Sequence, residues 1–258
     1  MTSPSVSGRV ASLARHPVKG FTPEPLESVT LRAGAHFPGD RLYAVEDGPS
    51  GFDFDAPAHI PKMAFTVLAR LPAIAAVRTK WSEDDGVLSA WHPDFGELKV
   101  DLEDDSGRRA FATWLRGVLA GQVRGELKVL AAPDAHRFMD SPKGFVSIIN
   151  LESVRDLEAK TGRRVDPARF RGNIMVADWP AWSELELGGR EIAIRNARLR
   201  GLKPIERCTA THVDPHSAKT DIDVVPLLRE HYGHVLCGLY AEVTDGGAIR
   251  TGETARIL

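Results

Sequence analysis

Arg207-Cys208-Thr209-Ala210-Thr211-His212-Val213-Asp214-Pro215 sets one of only two cysteines beside an arginine, in a short β-prone run that an Asp-Pro pair stops. A thiol in such polar company is a candidate thiolate, available as a nucleophile or a metal ligand. Core filling is the competing assignment, and for an isolated cysteine it is the commoner one. Glu206, Arg207, Thr209 and Thr211 are poor neighbours for a core position. In an extended run Arg207 and Cys208 point to opposite faces, so a second cation must come from elsewhere in the chain. Cys237, within Leu236-Cys237-Gly238-Leu239-Tyr240, reads instead as strand core. Cys208, His212 and His216 recur at a spacing that would align them on a helix, which Asp214-Pro215 disfavours. With no second cysteine pair this is a weak zinc signal, although Cys208 and His212 would share a face of a strand.

Three further clusters carry cations: His16-Pro17-Val18-Lys19-Gly20, Gly39-Asp40-Arg41, and Arg169-Phe170-Arg171-Gly172-Asn173. Arg171 offers a bidentate fork for phosphate or carboxylate, and Asn173 adds a donor and an acceptor. Gly172 between them would let a ligand approach the backbone. Each cation also fits a solvated side chain at a turn. Asp53 and Asp55 read as solvated carboxylates in a loop. No G-x-G-x-x-G, P-loop or G-x-S-x-G motif occurs, which removes dinucleotide, nucleotide-triphosphate and α/β-hydrolase chemistry.

The elements that must position these residues are mostly short strands. Residues 6–15, 28–31 and 42–45 are β-rich, 48–61 is a Pro- and Gly-containing surface loop, and 77–81, 87–91 and 98–100 form a meander. Asp84-Asp85-Gly86 is the hairpin signal within it. Phe111, Leu115 and Val118 recur at helical spacing over 108–119, which Ser106 or Gly107 would open, and 123–130 returns to strand. The polar, proline-containing stretch 133–144 is the expected boundary, dividing the chain into 1–132 and 133–258. Beyond it a strand at 145–149 leads into a helix capped by Asn150 and ended by Gly162, and Asp166-Pro167 opens one turn. A strand at 174–176 follows. Leu185-Glu186-Leu187 is expected to pair with 191–194 through Gly188-Gly189, 224–232 to be helical, and 235–258 to be all β.

At 258 residues the chain suits one large domain or two closely packed ones. A net charge of -2 gives no reason to expect a nucleic-acid binder or a partner of anionic membranes, and no apolar run is long enough to span one. Two cysteines make no disulfide framework and point to a reducing compartment. The start Met1-Thr2-Ser3-Pro4-Ser5 does not read as a signal peptide. The expected location is cytoplasmic.

Taken in order, the clusters at 16–20, 39–41, 169–173 and 207–215, with Gly246-Gly247-Ala248-Ile249-Arg250-Thr251-Gly252-Glu253 at the end, make a pattern over nearly the whole chain. This pattern resembles the MOSC family, the molybdenum cofactor sulfurase C-terminal domain proteins, with the β-barrel domain that often precedes MOSC. It is most similar to bacterial relatives of the mitochondrial amidoxime-reducing component. The resemblance implies an α+β, mostly β fold: a MOSC β-barrel core with flanking helices, in 133–258, and an N-terminal β-rich domain, in 1–132, packed against it. It implies a molybdenum cofactor (Mo-molybdopterin) with Cys208 as metal ligand and catalytic residue. Lys19, Gly20, Arg41, Arg171, Asn173, Arg207 and Thr209 would hold the pterin and its phosphate. The activity it implies is reduction of small N-hydroxylated compounds, or related N–O or S–O substrates, with electrons from an external electron-donor protein. A non-catalytic cofactor or sulfur carrier using the same cysteine is the alternative, and a phosphate-ligand module with an incidental cysteine is a third. Reductases of this kind have serine after the lysine and two residues before the cysteine, where this chain has Gly20 and Glu206.

Overall fold

The structure is a computed structural model describing residues 6–142 and 144–258. Residues 1–5, whose composition bore on the signal-peptide reading, lie outside them. The first half carries β1 (Ser7–Arg15), β2 (Glu24–Leu26), β3 (Ser28–Leu31), β4 (Tyr43–Asp47), β5 (Arg78–Trp81), β6 (Val87–His92), β7 (Gly96–Asp101), α1 (Asp105–Val118) and β8 (Leu127–Ala131). The second half carries β9 (Val146–Asn150), α2 (Leu151–Thr161), β10 (Ile174–Ala177), β11 (Glu191–Ile194), β12 (Ala197–Glu206), α3 (Val224–Tyr232), β13 (Leu236–Asp245), β14 (Gly247–Arg250) and β15 (Thr254–Ile257).

Seven strands close a barrel in the order β10-β9-β13-β12-β11-β15-β1, with β1 returning to β10 and β2 appended to β1. Closure is antiparallel, Leu13 facing Ile174 and Val10 facing Val176, and a bulge between Val10 and Ser12 bends β1 around the seam. The chain's first strand is thus built into a barrel whose other six staves come from the second half. Alternation sends Val10 and Leu13 inward with Ile148, Val176, Ile192, Leu199, Leu239 and Ile257, a core in which each is at most 5% exposed. A second core lies in the first half, where Phe111 and Leu115 of α1 pack with Val45, Leu88 and Val129. A third lies under α2 and α3, where Cys237 is fully buried among Val154, Leu157 and Leu228. The fold is α+β and mostly β, with a closed barrel and, among the described residues, three α-helices. None of these helices is long and apolar enough to cross a membrane.

Several expected caps are present. Asn150 accepts from the Glu152 N–H at 3.1 Å, and Gly162 ends α2 in the left-handed region at φ 61°. Helix α1 begins earlier than its apolar spacing suggests, because the Asp104 side chain accepts from the Ser106 and Gly107 amides. The expected hairpin through Gly188-Gly189 is absent: residues Ser183–Glu186 form a 3₁₀ turn, and β11 pairs instead with β12 across Arg195-Asn196. Arg195 adopts φ 51°, a conformation that no turn-forming residue type announced. Strand β12, ten residues long and containing Pro204, is the largest element the sequence reading missed. Its Gly201 lies against Leu187, whose carbonyl oxygen would stand 2.0 Å from an added Cβ.

Candidate functional site

The run 207–213 is not extended. Strand β12 ends at Glu206, and Cys208 stands before a 3₁₀ turn, Thr209–His212. The Cys208 carbonyl accepts from the Thr211 amide at 3.0 Å and hydroxyl at 2.9 Å, so its own backbone closes the turn. Arg169 locks this turn from beneath: it is buried, donates to the His212 carbonyl at 3.0 Å, and pairs with Asp214 and Asp221. The zinc spacing is not realised. His212 Nε2 accepts from the Val225 amide at 3.2 Å, while His216 Nε2 lies 2.8 Å from Asp166. Among the described residues, no three His, Cys, Asp or Glu side chains are grouped to hold a metal ion.

Cys208 is half-buried on the wall of a cleft of about 320 Å³ that also collects Lys19, Gly20, Arg41, Arg171 and Arg207. Seven cationic side chains line it against two carboxylates, Asp140 and Glu206. In a volume of this size such an excess is an anion site in waiting.

The cations are held by carbonyls, leaving nitrogens over. Arg171 ends the 3₁₀ turn Pro167–Phe170 at φ 53° and donates from Nη1 to the Phe21 carbonyl at 2.6 Å. Arg207 donates to the carbonyls of Cys237 at 2.6 Å and Phe170 at 2.8 Å, its guanidinium lying over the Phe170 ring. The Nη2 atoms of both arginines are buried without a partner. Burial, and then the Arg41 cation, pull the Arg171 pKa below its ordinary range. An anion placed there would relieve both penalties.

Arg41, itself at φ 50°, is set by buried Asp40, which also accepts from the His16 amide at 2.7 Å. Against its burial, Arg41 and His16 keep the Asp40 carboxyl ionised. Arg41 also donates toward His16 Nδ1 at 3.1 Å and to the Arg171 carbonyl at 3.2 Å. Lys19 is less available than its sequence context implies. It is buried, donates to the Phe138 carbonyl at 2.8 Å and pairs with Asp140. Gly20, at φ 90°, cannot be exchanged for serine without strain, since a Cβ there would stand 2.5 Å from the Thr66 carbonyl oxygen.

Two residues named from the sequence stand outside the cleft lining. Asn173 is fully buried and spends its groups on the barrel seam: its Oδ1 accepts from the Ser147 amide and hydroxyl, and Nδ2 donates to the Ala14 carbonyl. Thr209 is exposed on the 3₁₀ turn. Gly172 meets protein rather than ligand, its Cβ position lying 2.4 Å from Ile149. Asn173→Ala is accordingly expected to lower stability by about 2–4 kcal/mol, because it leaves Ser147 and Ala14 groups buried and unpaired. Denaturant unfolding of the variant measures this.

Glu206 is exposed at the cleft rim, and Arg207 turns away from it to the two carbonyls. Lys62 is the residue the sequence reading missed. It follows the loop 48–61 in a short 3₁₀ turn, Lys62–Ala64, and lines the same cleft as Cys208. No local signal marks a loop lysine for that position.

His16 gives the site an acid limit. Burial first, then Arg41 and Arg171, push its pKa from 6.5 to about 3. The unfolded chain therefore takes up a proton that the folded chain refuses as pH falls below 6.5. This contribution is whole above that pH and is lost toward pH 3, at up to about 1.4 kcal/mol per pH unit. Urea midpoints are expected to drop between about pH 7 and pH 5, with a shallower slope in His16→Gln; equal slopes would contradict the assignment.

The MOSC domain family model matches residues 135–256, and the MOSC N-terminal beta barrel domain model matches residues 7–139. Among solved structures, the YuaD protein from Bacillus subtilis is 14% identical with a TM-score of 0.46, the alignment covering 98% of this chain and 96% of that one. YiiM from Geobacillus stearothermophilus is 16% identical with a TM-score of 0.36, covering 51% of this chain and 67% of its own. YiiM from Escherichia coli is 14% identical with a TM-score of 0.32, covering 46% and 56%. No curated protein matches the chain.

Proposed function

The chain belongs to the MOSC family, and from that premise we propose that its cleft binds a molybdenum cofactor through Cys208 and that it reduces N-hydroxylated or related N–O or S–O compounds. The observation that carries this reading is the excess of cations around Cys208, whose cleft is lined by Lys19, Arg41, Lys62, Arg169, Arg171, Lys203 and Arg207 against the carboxylates of Asp140 and Glu206. A phosphate-bearing, polar, planar group needs such donors, and a sulfur-rich metal centre suits a thiolate ligand.

In this reading Arg171 and Arg207 hold the anionic end, each already oriented by carbonyls so that little ordering remains on binding. Arg41 shapes the wall between them through Asp40. The Arg169 clamp fixes the turn from which Cys208 presents its sulfur. When bound, such a cofactor supplies two-electron oxygen-atom chemistry, while the protein contributes orientation and electrostatics. Asn173 acts by keeping the seam of β1, β9 and β10 in register beneath the site. The electrons come from a separate protein, and the location is cytoplasmic. The division of the chain at 132/133 is part of the same proposal.

Turnover separates an enzyme from a carrier. Protein produced in a host that makes the cofactor is expected to oxidise an artificial reductant in proportion to an N-hydroxylated substrate. Bound molybdenum without turnover across N–O and S–O substrates would instead favour a carrier that holds the cofactor on the same cysteine.

A further inference from the structure

His212 closes the 3₁₀ turn that follows Cys208, yet it does not line the cleft. Its carbonyl is held from one side, accepting from Arg169 at 3.0 Å and from the Asp221 amide at 3.2 Å. Its buried side chain reaches the start of α3. Asp223 stands at the N-cap there, but its side chain caps nothing. The Val224 amide bonds back to the Ile222 carbonyl, Pro226 has no amide hydrogen, and Leu227 bonds to the Asp223 carbonyl. The Val225 amide is left over, and His212 Nε2 accepts from it at 3.2 Å. The histidine thus does from another segment what a capping oxygen does within its own. A backbone amide only donates, so Nε2 is unprotonated, and Nδ1 lies 3.4 Å from the Asp223 carboxylate. The turn itself is wedged between two cores: Ala210 and Val213 pack with the first half of the chain, Val224 and Leu228 with α2.

We propose that His212 is an acid-released latch: as the neutral imidazole it fastens the turn carrying Cys208 to α3, and protonation at Nε2 unfastens it. A proton there sets one N–H against the Val225 N–H, two donors with no acceptor between them. It also puts a positive charge at a helix N-terminus, where the backbone dipole disfavours it. Among the described residues, the charged groups on the elements packed against the ring are Arg169, with its partners Asp214 and Asp221, and Asp223. Asp166 is taken by His216, and Arg229, Glu230 and His231 lie farther along α3. Burial first holds the ring's pKa below 6.5; Asp223 opposes this and Arg169 adds to it. The latched ring therefore refuses a proton that an opened ring accepts, and acid favours the opened form. His212 acts on Cys208 through the turn, as a positioning residue: Thr211, whose amide and hydroxyl bond the Cys208 carbonyl, is its immediate neighbour. The consequence for a bound metal rests on the reading of Cys208 as its ligand; the latch itself does not.

Amide hydrogen exchange of the purified full chain tests the latch, read by mass spectrometry between about pH 7.5 and pH 5 and corrected for the intrinsic pH dependence of exchange. Peptides covering 207–213 and 222–232 are expected to lose protection together, by about tenfold at the acid end, because the opened ring takes up a proton with its ordinary affinity. His212→Gln keeps an acceptor for the Val225 amide but does not titrate, and is expected to keep its protection over the same range. His212→Ala is expected to be less protected than wild type already at pH 7.5 and to show no acid step. His16 titrates in all three proteins, so a fall of equal size in wild type and His212→Gln would overturn the proposal. Wild-type protection that does not change with pH would overturn it too, as would a loosened α3 beside an unchanged Cys208 turn. Molybdenum measured in wild-type protein at pH 7.5 reads the cofactor assignment separately, so either can fail alone.

Discussion

Cys208→Ser is expected to emerge from a cofactor-producing host with molybdenum reduced by about tenfold or more, while its unfolding free energy stays within about 0.5 kcal/mol of wild type. The two halves of that expectation have separate causes. A hydroxyl is a hard, weakly acidic ligand and a poor replacement for thiolate sulfur at a sulfur-rich metal. The fold, by contrast, uses the Cys208 backbone: its carbonyl closes the 3₁₀ turn through Thr211, and serine preserves that bond. Arg169 holds the same turn through His212, Asp214 and Asp221 and does not touch the sulfur. Molybdenum by mass spectrometry of the metal, alongside denaturant unfolding, measures both. Full metal retention would show that the sulfur is not the ligand.

Arg171→Gln is expected to weaken anion binding by about 2–3 kcal/mol, roughly 30- to 150-fold, without lowering the stability of the ligand-free protein. The signs differ because the free site carries an unrelieved penalty. Arg171 sits beside Arg41 with its Nη2 buried and unpartnered, and burial followed by that neighbour opposes its charge. Removing the cation relieves this repulsion and offsets the loss of its bond to the Phe21 carbonyl. The ligand loses a charge-assisted donor with nothing to replace it. Thermal unfolding with and without pyrophosphate reads both effects: the ligand-induced rise in Tm should vanish while the ligand-free Tm holds. A variant that loses stability yet keeps the pyrophosphate shift would make Arg171 a structural residue.

The sequence made the fold legible where local chemistry and tertiary structure agree. Asn150 and Gly162 bracket α2 because a side-chain oxygen and an αL residue satisfy helix ends wherever they occur. It misled where backbone geometry is imposed from outside. Arg41 and Arg171 both adopt positive φ without being glycine, and the partners of their side chains lie in segments that no short window contains. Strand β12 was hidden by Pro204 and a mixed face, although Leu199 pairs with Val243 and Gly201 with Ala241 in the sheet. For the site, side chains of one cluster are tied to the backbone of another far along the chain, as Arg41 donates to the Arg171 carbonyl and Arg171 to the Phe21 carbonyl. Asn173 shows the limit of reading polarity as function, since a buried side-chain amide with three hydrogen bonds to Ser147 and Ala14 is seam structure. Lys62 shows the converse, a loop lysine whose importance lies wholly in where its chain segment is carried.

The cleft's central claim is a single occupant on Cys208, and metal and pterin stoichiometry of the wild-type chain from a cofactor-producing host tests it most directly. About one molybdenum and one pterin per chain are expected, both lost together in Cys208→Ser. Wild-type protein that carries neither, from a host whose other molybdenum proteins are loaded, would contradict it.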